Sequence, residues 1–328
     1  MKMLKKSMSV LFTVMFFLSS FSIMSVSKDA MAEEEKKEEG VTKLEDVVVT
    51  APRMVEPLIV ETNPKAPRQP VPAHDGADYL KTIPGFSVIR KGGTDGDPVF
   101  RGMAGSRLNV LMDGQYILGG CGGRMDPPTA YVFPEIYDRI KVFKGPQTVR
   151  YGGGNIGGIV LFELDAKYFE TSDVHAHTGL MLGSFGRNDQ IMDVSTGMPL
   201  GFINVTGSRS DSDDYKDGNG NKVHSSYTRW SLGGTAGWTP DKNTSLIFSL
   251  DRSDGEAAYA DRGMDGPKFD RTGYGLKFEK TSISPLINNL TAQVYYNYVD
   301  HIMDNYSLRT KPAGMYMLNN PDRKTVGG

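Results

Sequence analysis

The chain has 328 residues, 37 Lys and Arg against 39 Asp and Glu, a formal charge of −2, and one cysteine. That is length enough for more than one domain. The balanced charge, with no basic cluster, excludes a nucleic-acid partner, and a single cysteine excludes an internal disulfide.

Lys2, Lys5 and Lys6 precede an apolar run over residues 10–24, and Ala30-Met31-Ala32 closes it with small residues. This is the form of a secretory signal peptide over residues 1–32, and the run falls short of the ~20 residues of a membrane anchor. Cleavage after Ala32 removes Lys2, Lys5, Lys6 and Lys28 with Asp29, shifting the formal charge to −5. Residues 33–74 read as a disordered leader. It opens on the run Glu33-Glu34-Glu35-Lys36-Lys37-Glu38-Glu39 and ends in a linker containing Pro52, Pro57, Pro64, Pro67, Pro70 and Pro72. Between them Glu45-Asp46-Val47-Val48-Val49-Thr50-Ala51 is β-prone with no partner nearby, a tethered peptide suited to pairing with another protein's sheet edge.

Residues 75–165 predict a compact α+β domain. A short helix fits residues 77–82, stopped by Pro84-Gly85, and strands fit 108–112, 139–143 and 159–162, the first ended by the Asp113-Gly114 turn. Gly152, Gly154 and Gly157 have the spacing of a dinucleotide fingerprint, but a β-rich run follows where that fingerprint needs a helix. No Ser/His/Asp set or carboxylate pair points to catalysis.

Cys121 stands in Gly119-Gly120-Cys121-Gly122-Gly123-Arg124-Met125. A free cysteine is ordinarily a buried structural residue, yet four glycines offer it little packing. Thiolate and thioether are soft ligands that favour copper over hard ions. His301 and Met303 form a second soft pair at strand spacing.

From residue 166 to 328 the segments lengthen and alternate. Thr228, Trp230, Leu232, Gly234, Ala236 and Trp238 share one face of a strand, opposite Arg229, Ser231 and Thr235. Eight residues at ~3.3 Å, tilted by ~40°, set the two tryptophans roughly 20 Å apart along a membrane normal, close to the apolar band of an outer-membrane barrel. Tight turns at residues 198–201, 239–242 and 284–288 alternate with long polar loops at 210–224 and 251–270, which favours such a barrel over a soluble sandwich. About seven strands start near Val174, Gln190, Phe202, Tyr227, Thr244, Thr272 and Leu290. Barrels of this type close on an even number, so the expectation is an incomplete barrel in the N-terminal portion of a longer protein. The seventh strand runs outward. Thr291, Gln293 and Asn297 form its inner face, and the same parity points His301 and Met303 inward at the external end.

Three side features carry less. His175 and His177 share parity near the start of the first barrel strand and read as a structural or fortuitous pair. Residues 211–222 are rich in oxygen ligands without full EF-hand spacing. For Met315 and Met317, copper capture in an outer loop and an ordinary loop role stand level.

In this order the motifs resemble the TonB-dependent outer-membrane receptors. Residues 45–51 look like that family's TonB box. Pro84-Gly85-Phe86-Ser87-Val88, Arg101-Gly102-Met103, Leu111-Met112-Asp113-Gly114, Ile140-Lys141-Val142-Phe143-Lys144-Gly145-Pro146, Tyr151-Gly152 and Ile156-Gly157-Gly158 look like its plug domain. The glycine-bracketed segment through Tyr131 is similar to the plug loop of the copper receptors within that family. The resemblance implies an α+β plug followed by an antiparallel transmembrane β-barrel in the bacterial outer membrane. It implies copper as bound substrate on Cys121, Met125, His301 and Met303, and no enzymatic activity. The implied partners are a TonB-type energy-transducing protein of the inner membrane at residues 45–51 and outer-membrane lipid around a monomer. Two other readings stand beside it: a receptor for an organic metal chelate of siderophore type, and an outer-membrane protein that retains copper without transporting it.

Overall fold

The structure has two sheets of opposite character, one built around a buried apolar core and one that buries polar side chains and exposes large apolar ones. The computed structural model describes residues 53–66 and 68–328. The signal peptide and the 45–51 peptide lie outside the described residues.

A first sheet is built from β1 (Arg53–Glu56), β2 (Ile59–Thr62), β5 (Leu108–Met112), β6 (Gln115–Tyr116), β7 (Arg139–Lys144) and β8 (Gly158–Glu163), in the order β1-β2-β7-β8-β5-β6. Among the described strands of this sheet only the β5–β8 pair is parallel, and β8, lying between β7 and β5, is covered on both faces. Val160 and Phe162 point into the main core with Val60, Leu80, Ile83, Phe100, Val110, Ile140 and Val142. Ile159 and Leu161 point into a smaller cluster with Leu111 and Phe143 on the other face. The helix α1 (Gly76–Leu80) starts where the Asp75 side chain caps the N–H groups of Ala77 and Asp78. A separate hairpin joins β3 (Phe86–Arg90) to β4 (Gly96–Phe100). Asp113 and Gly114 both take positive φ, 47° and 78°, as the tight turn between β5 and β6 demands. The strand β8 directly follows the Gly152–Gly157 glycines, so no helix N-terminus stands there for a dinucleotide.

The second sheet is a meander: β9 (Asp173–Leu182), β10 (Asn188–Met198), β11 (Gly201–Ser212), β12 (Tyr227–Asp241), β13 (Thr244–Ala257), β14 (Asp265–Thr281) and β15 (Asn289–Asp304), each antiparallel to the next. Leu232, Trp238, Leu246, Phe248, Leu250, Tyr274, Leu276, Leu290 and Val294 are exposed on its outer face. Asn204, Thr206, Ser208, Ser245, Ser253 and Asn297 are buried on its inner face, against the plug. Such an apolar exterior around a polar interior is the pattern of a transmembrane barrel wall. Among the described residues no helix is long and apolar enough to cross a membrane.

Three expectations need correction. The Pro-rich linker does not extend to residue 74 as unpaired chain, because Ile59–Thr62 pairs with β7 and joins the plug sheet. Its prolines fall beside that strand, at Pro57 and Pro64, where no ladder hydrogen bond is lost. The strand placed near Thr272 begins at Asp265, and its neighbour runs to Ala257, which shortens the intervening loop to residues 258–264. At these strand ends the outward positions carry the Lys268–Asp300 and Arg252–Asp270 ion pairs in place of apolar side chains, so the ladder extends without an apolar alternation in the sequence. The end of the chain is not all loop. Leu318–Asn319 (β16) and Asp322–Gly327 (β17) both pair with β15, so the wall holds an eighth long-range strand with almost no apolar residue to betray it.

Plug and wall meet through polar contacts. Gln293 Nε2 donates to the carbonyl of Asp113 (2.8 Å), and Asn297 Nδ2 donates to Oε1 of Gln115 (3.1 Å). Lys65 bridges Asp138 of the plug (2.7 Å) and Asp193 of β10 (2.6 Å).

The fold makes a prediction about lipid. Leu250 pairs with Gly234, midway between the two tryptophans of β12. Leu250→Arg is expected to destabilise the bilayer-inserted barrel by about 2–4 kcal/mol, while Ser249→Ala on the inner face has a much smaller effect. Urea unfolding from lipid vesicles measures both.

Candidate metal centre

Three donors converge where the plug meets β15. Sγ of Cys121, a carboxylate oxygen of Asp126 and a ring nitrogen of His301 all lie within 4.8 Å of one another. Two come from the plug loop between β6 and β7, and the third from the barrel wall.

The loop is held by its own acid. Asp126 Oδ2 accepts the N–H of Gly120 (2.6 Å) and the hydroxyl of Tyr131 (3.0 Å), while Oδ1 accepts the N–H of Cys121 (2.9 Å). Burial, and then the neighbouring Asp126 charge, push the Tyr131 phenol well above its ordinary range, so it remains a proton donor. Gly119 makes the fold-back possible. A Cβ there would stand 1.9 Å from the Asp126 carbonyl oxygen and 2.7 Å from its Oδ1. Arg124 adopts a left-handed φ of 53°, and its guanidinium forks onto Asp97 with two contacts of 2.7 Å. These bonds tie the loop to β4 and leave the Cys121 thiol at its crest, half-buried.

His301 is wholly buried, its ring against Phe269 at a centroid distance of 4.4 Å. Its main-chain N–H donates to the carbonyl of Pro321 (3.0 Å). Nδ1 lies 3.0 Å from the carbonyl oxygen of Lys268. A carbonyl only accepts, so Nδ1 carries the proton and Nε2 keeps its lone pair. That Nε2 is buried and makes no hydrogen bond of ordinary geometry. It faces Cys121, and this polar contact is the main influence drawing the thiol below its ordinary pKa, against the upward push of burial.

Met125 and Met303 are both buried in the apolar cluster against which Cys121 packs. On β15 the inner face runs Gln293, Asn297, Val299, His301, Met303, each with its back to the lipid side. The structure thus brings Cys121 to His301, with the two methionines in the same cluster. Residues 45–51 lie outside the described residues. His175 and His177 stand apart from this cluster, the first beside Asp173 (3.3 Å) and the second 3.9 Å from Glu135. In the loop over residues 213–226, Asp217 Oδ1 accepts the N–H groups of Asn219 and Asn221, a self-contained turn. Met315 is exposed, while the Met317 N–H is held by Asn305 (2.9 Å). Asp126, Phe269 and the Lys268 carbonyl escape a reading of the sequence. Only the first had a signal, an acid next to Met125 that ends in a buried setting.

A lumen-filling plug with a polar wall around it defines a class. Residues 60–159 match the family model of the TonB-dependent receptor plug domain, so the first sheet and its loops are a plug domain of that kind. Among solved structures it is similar to the copper transporter OprC, with 50% identity and a TM-score of 0.81 over 85% of this chain and 44% of that one. It also shares its fold with the ferric enterobactin receptor PfeA of Pseudomonas aeruginosa, at 14% identity and a TM-score of 0.59 over 82% of this chain and 45% of that one. Among curated proteins it is 30% identical over 156 residues to a hemin receptor of Yersinia pestis, matching 43% of this chain and 22% of that protein. The chain spans about a fifth of that relative's length.

The loop geometry predicts a contrast between two glycines. Gly119→Ala is expected to weaken soft-metal binding at least about tenfold by displacing the Cys121 segment. Gly122→Ala, where an added Cβ meets nothing within 4 Å, is expected to leave it nearly unchanged. Titration with Ag(I) distinguishes them.

Proposed function

We propose that the chain is the receptor portion of a copper importer, in which copper binds between the plug loop and the inner wall of the barrel. The observation that carries this is the free lone pair on Nε2 of His301, buried beside the only cysteine. An unsatisfied buried nitrogen costs about 1–3 kcal/mol, and coordinating a metal removes that cost. The proton on Nδ1, held by the Lys268 carbonyl, fixes the tautomer and ring orientation that a metal ligand needs.

In this reading Cys121 supplies thiolate, His301 neutral imidazole, and Met125 and Met303 thioether. Such a set accepts both Cu(I) and Cu(II) and disfavours calcium and magnesium. Zinc is the natural competitor, since it takes Cys and His readily but does not ordinarily use thioether. The similarity to the copper transporter OprC supports copper as the cargo. Curated relatives named as receptors for hemin and for ferric enterobactin are the ground for the alternative of a chelate receptor. A chelate would leave the buried Nε2 unused, which weighs against it.

The ligands are divided between two bodies, and this suggests how binding leads to release. Copper cross-links plug to wall. A TonB-type protein pairing with residues 45–51 and pulling the plug would carry Cys121 and Met125 away from His301 and Met303, splitting the site. The protein does no chemistry on the metal.

Metal content after growth with copper and zinc tests the reading. The receptor purified from outer membranes is expected to hold about one copper per chain, lost in both Cys121→Ala and His301→Ala. Full copper in either variant, or none in the parent, removes the shared site. Deleting residues 45–51 is expected to abolish uptake and leave occupancy intact. If uptake persists, the protein retains copper rather than transporting it.

A further inference from the structure

Taken without its hydrogen bonds, the cluster of Cys121, Asp126 and His301 is a donor set that suits zinc, which binds thiolate, imidazole and carboxylate alike. The carboxylate is what a copper site built on thioethers does not want. It is also the member of the trio most heavily engaged elsewhere, accepting the N–H groups of Gly120 and Cys121 and the Tyr131 hydroxyl on three of its roughly four lone-pair sites. We infer that Tyr131 and the loop amides hold the Asp126 carboxylate out of the ligand set, and that this withholding selects copper over zinc. The inference rests on the copper reading of the same site.

Asp126 is 1% exposed and sits close enough to the thiol and imidazole to compete for a shared ion. Each of its three bonds is charge-assisted, the stronger class of hydrogen bond. A shift of the carboxylate toward a metal must break or lengthen them, and it would leave the buried Gly120 and half-buried Cys121 N–H groups without acceptors. Gly119 adds a steric limit, because the loop closes over Asp126 with no room even for a methyl group. The remaining soft donors, Met125 and Met303, are buried in the same apolar cluster with no competing hydrogen bonds expected of a thioether. The site therefore offers sulfur and nitrogen to an incoming ion and keeps oxygen back. Of the three donors to Asp126, Tyr131 is the one that can be removed without touching the main chain.

The test compares zinc and copper binding in the parent, Tyr131→Phe, Asp126→Asn, and the double variant, each purified from outer membranes and titrated separately with Zn(II) and with Cu(I). Tyr131→Phe frees one lone pair of Oδ2. It is expected to raise zinc affinity about tenfold, the worth of one charge-assisted hydrogen bond, and to leave copper affinity within about a factor of two. Adding Asp126→Asn is expected to return zinc affinity to the parent value, since an amide oxygen is the poorer ligand. The proposal is overturned by unchanged zinc affinity in Tyr131→Phe, or by a zinc gain that survives in the double variant. It is equally overturned if X-ray absorption of the copper-loaded parent shows an oxygen ligand that Asp126→Asn removes, because Asp126 would then be a ligand itself. Yield of folded receptor from the membrane controls for misfolding. A parent that binds no copper defeats the proposed function, while the zinc comparison between single and double variants still reads whether Tyr131 restrains Asp126.

Discussion

The period of two along β15 is the constraint on which the rest of this molecule depends. One strand must present apolar side chains to lipid and polar ones to the plug, and it can do so only if every inward residue shares one parity. Gln293 and Asn297 spend that parity on holding Asp113 and Gln115 of the plug. Above them, His301 and Met303 inherit the same direction and meet the Cys121 loop. A slip of one residue in the β14–β15 register would turn all four toward the membrane. The fifteen paired positions between those strands make such a slip improbable on energetic grounds.

The plug–wall interface joins an apolar patch, where Tyr227, Tyr259, Phe269, Val299 and Met303 of the wall pack on the plug core, to a polar remainder. The polar contacts are amide and ionic, such as Gln293 to Asp113 and Lys65 between Asp138 and Asp193. Such bonds contribute little net free energy each, because water replaces them at small cost when the surfaces part. That suits a plug that must stay seated and yet be moved. The metal cluster departs from this pattern, since its buried imidazole nitrogen faces only the Cys121 thiol and makes no hydrogen bond of ordinary geometry. A metal there would be the strongest single tie between the two bodies, and the one whose presence depends on the cargo.

Much of this was legible in the sequence, for physical reasons. Alternation over Tyr227–Asp241 and Asn289–Asp304 marks strands with one lipid face, and the tryptophans of β12 mark the membrane edges. Strand direction and parity placed His301 and Met303 inward at the outer end of their strand, while their joining to Cys121, 180 residues away, was what the resemblance to the copper receptors implied. What escaped notice lacked a one-sided environment. The outer ends of β13 and β14 carry Asp254, Asp265 and Asp270 where an apolar alternation would mark a strand, so they read as loop although Asp265 and Asp270 are buried. Asp322–Gly327 pairs through main-chain bonds with hardly an apolar side chain. Ile59–Thr62 was obscured by flanking prolines that turn out to border the strand. Asp126 was invisible as a loop clamp because its partners are main-chain N–H groups and a tyrosine, which no spacing rule reports.

The central claim is that one metal is shared between a plug sulfur and a wall imidazole. X-ray absorption at the copper edge, on the loaded receptor, addresses it directly. The account predicts a sulfur-dominated first shell with one imidazole, and loss of the imidazole signal alone in His301→Ala under metal excess. A shell of nitrogen and oxygen without sulfur, or one unchanged by His301→Ala, would contradict it.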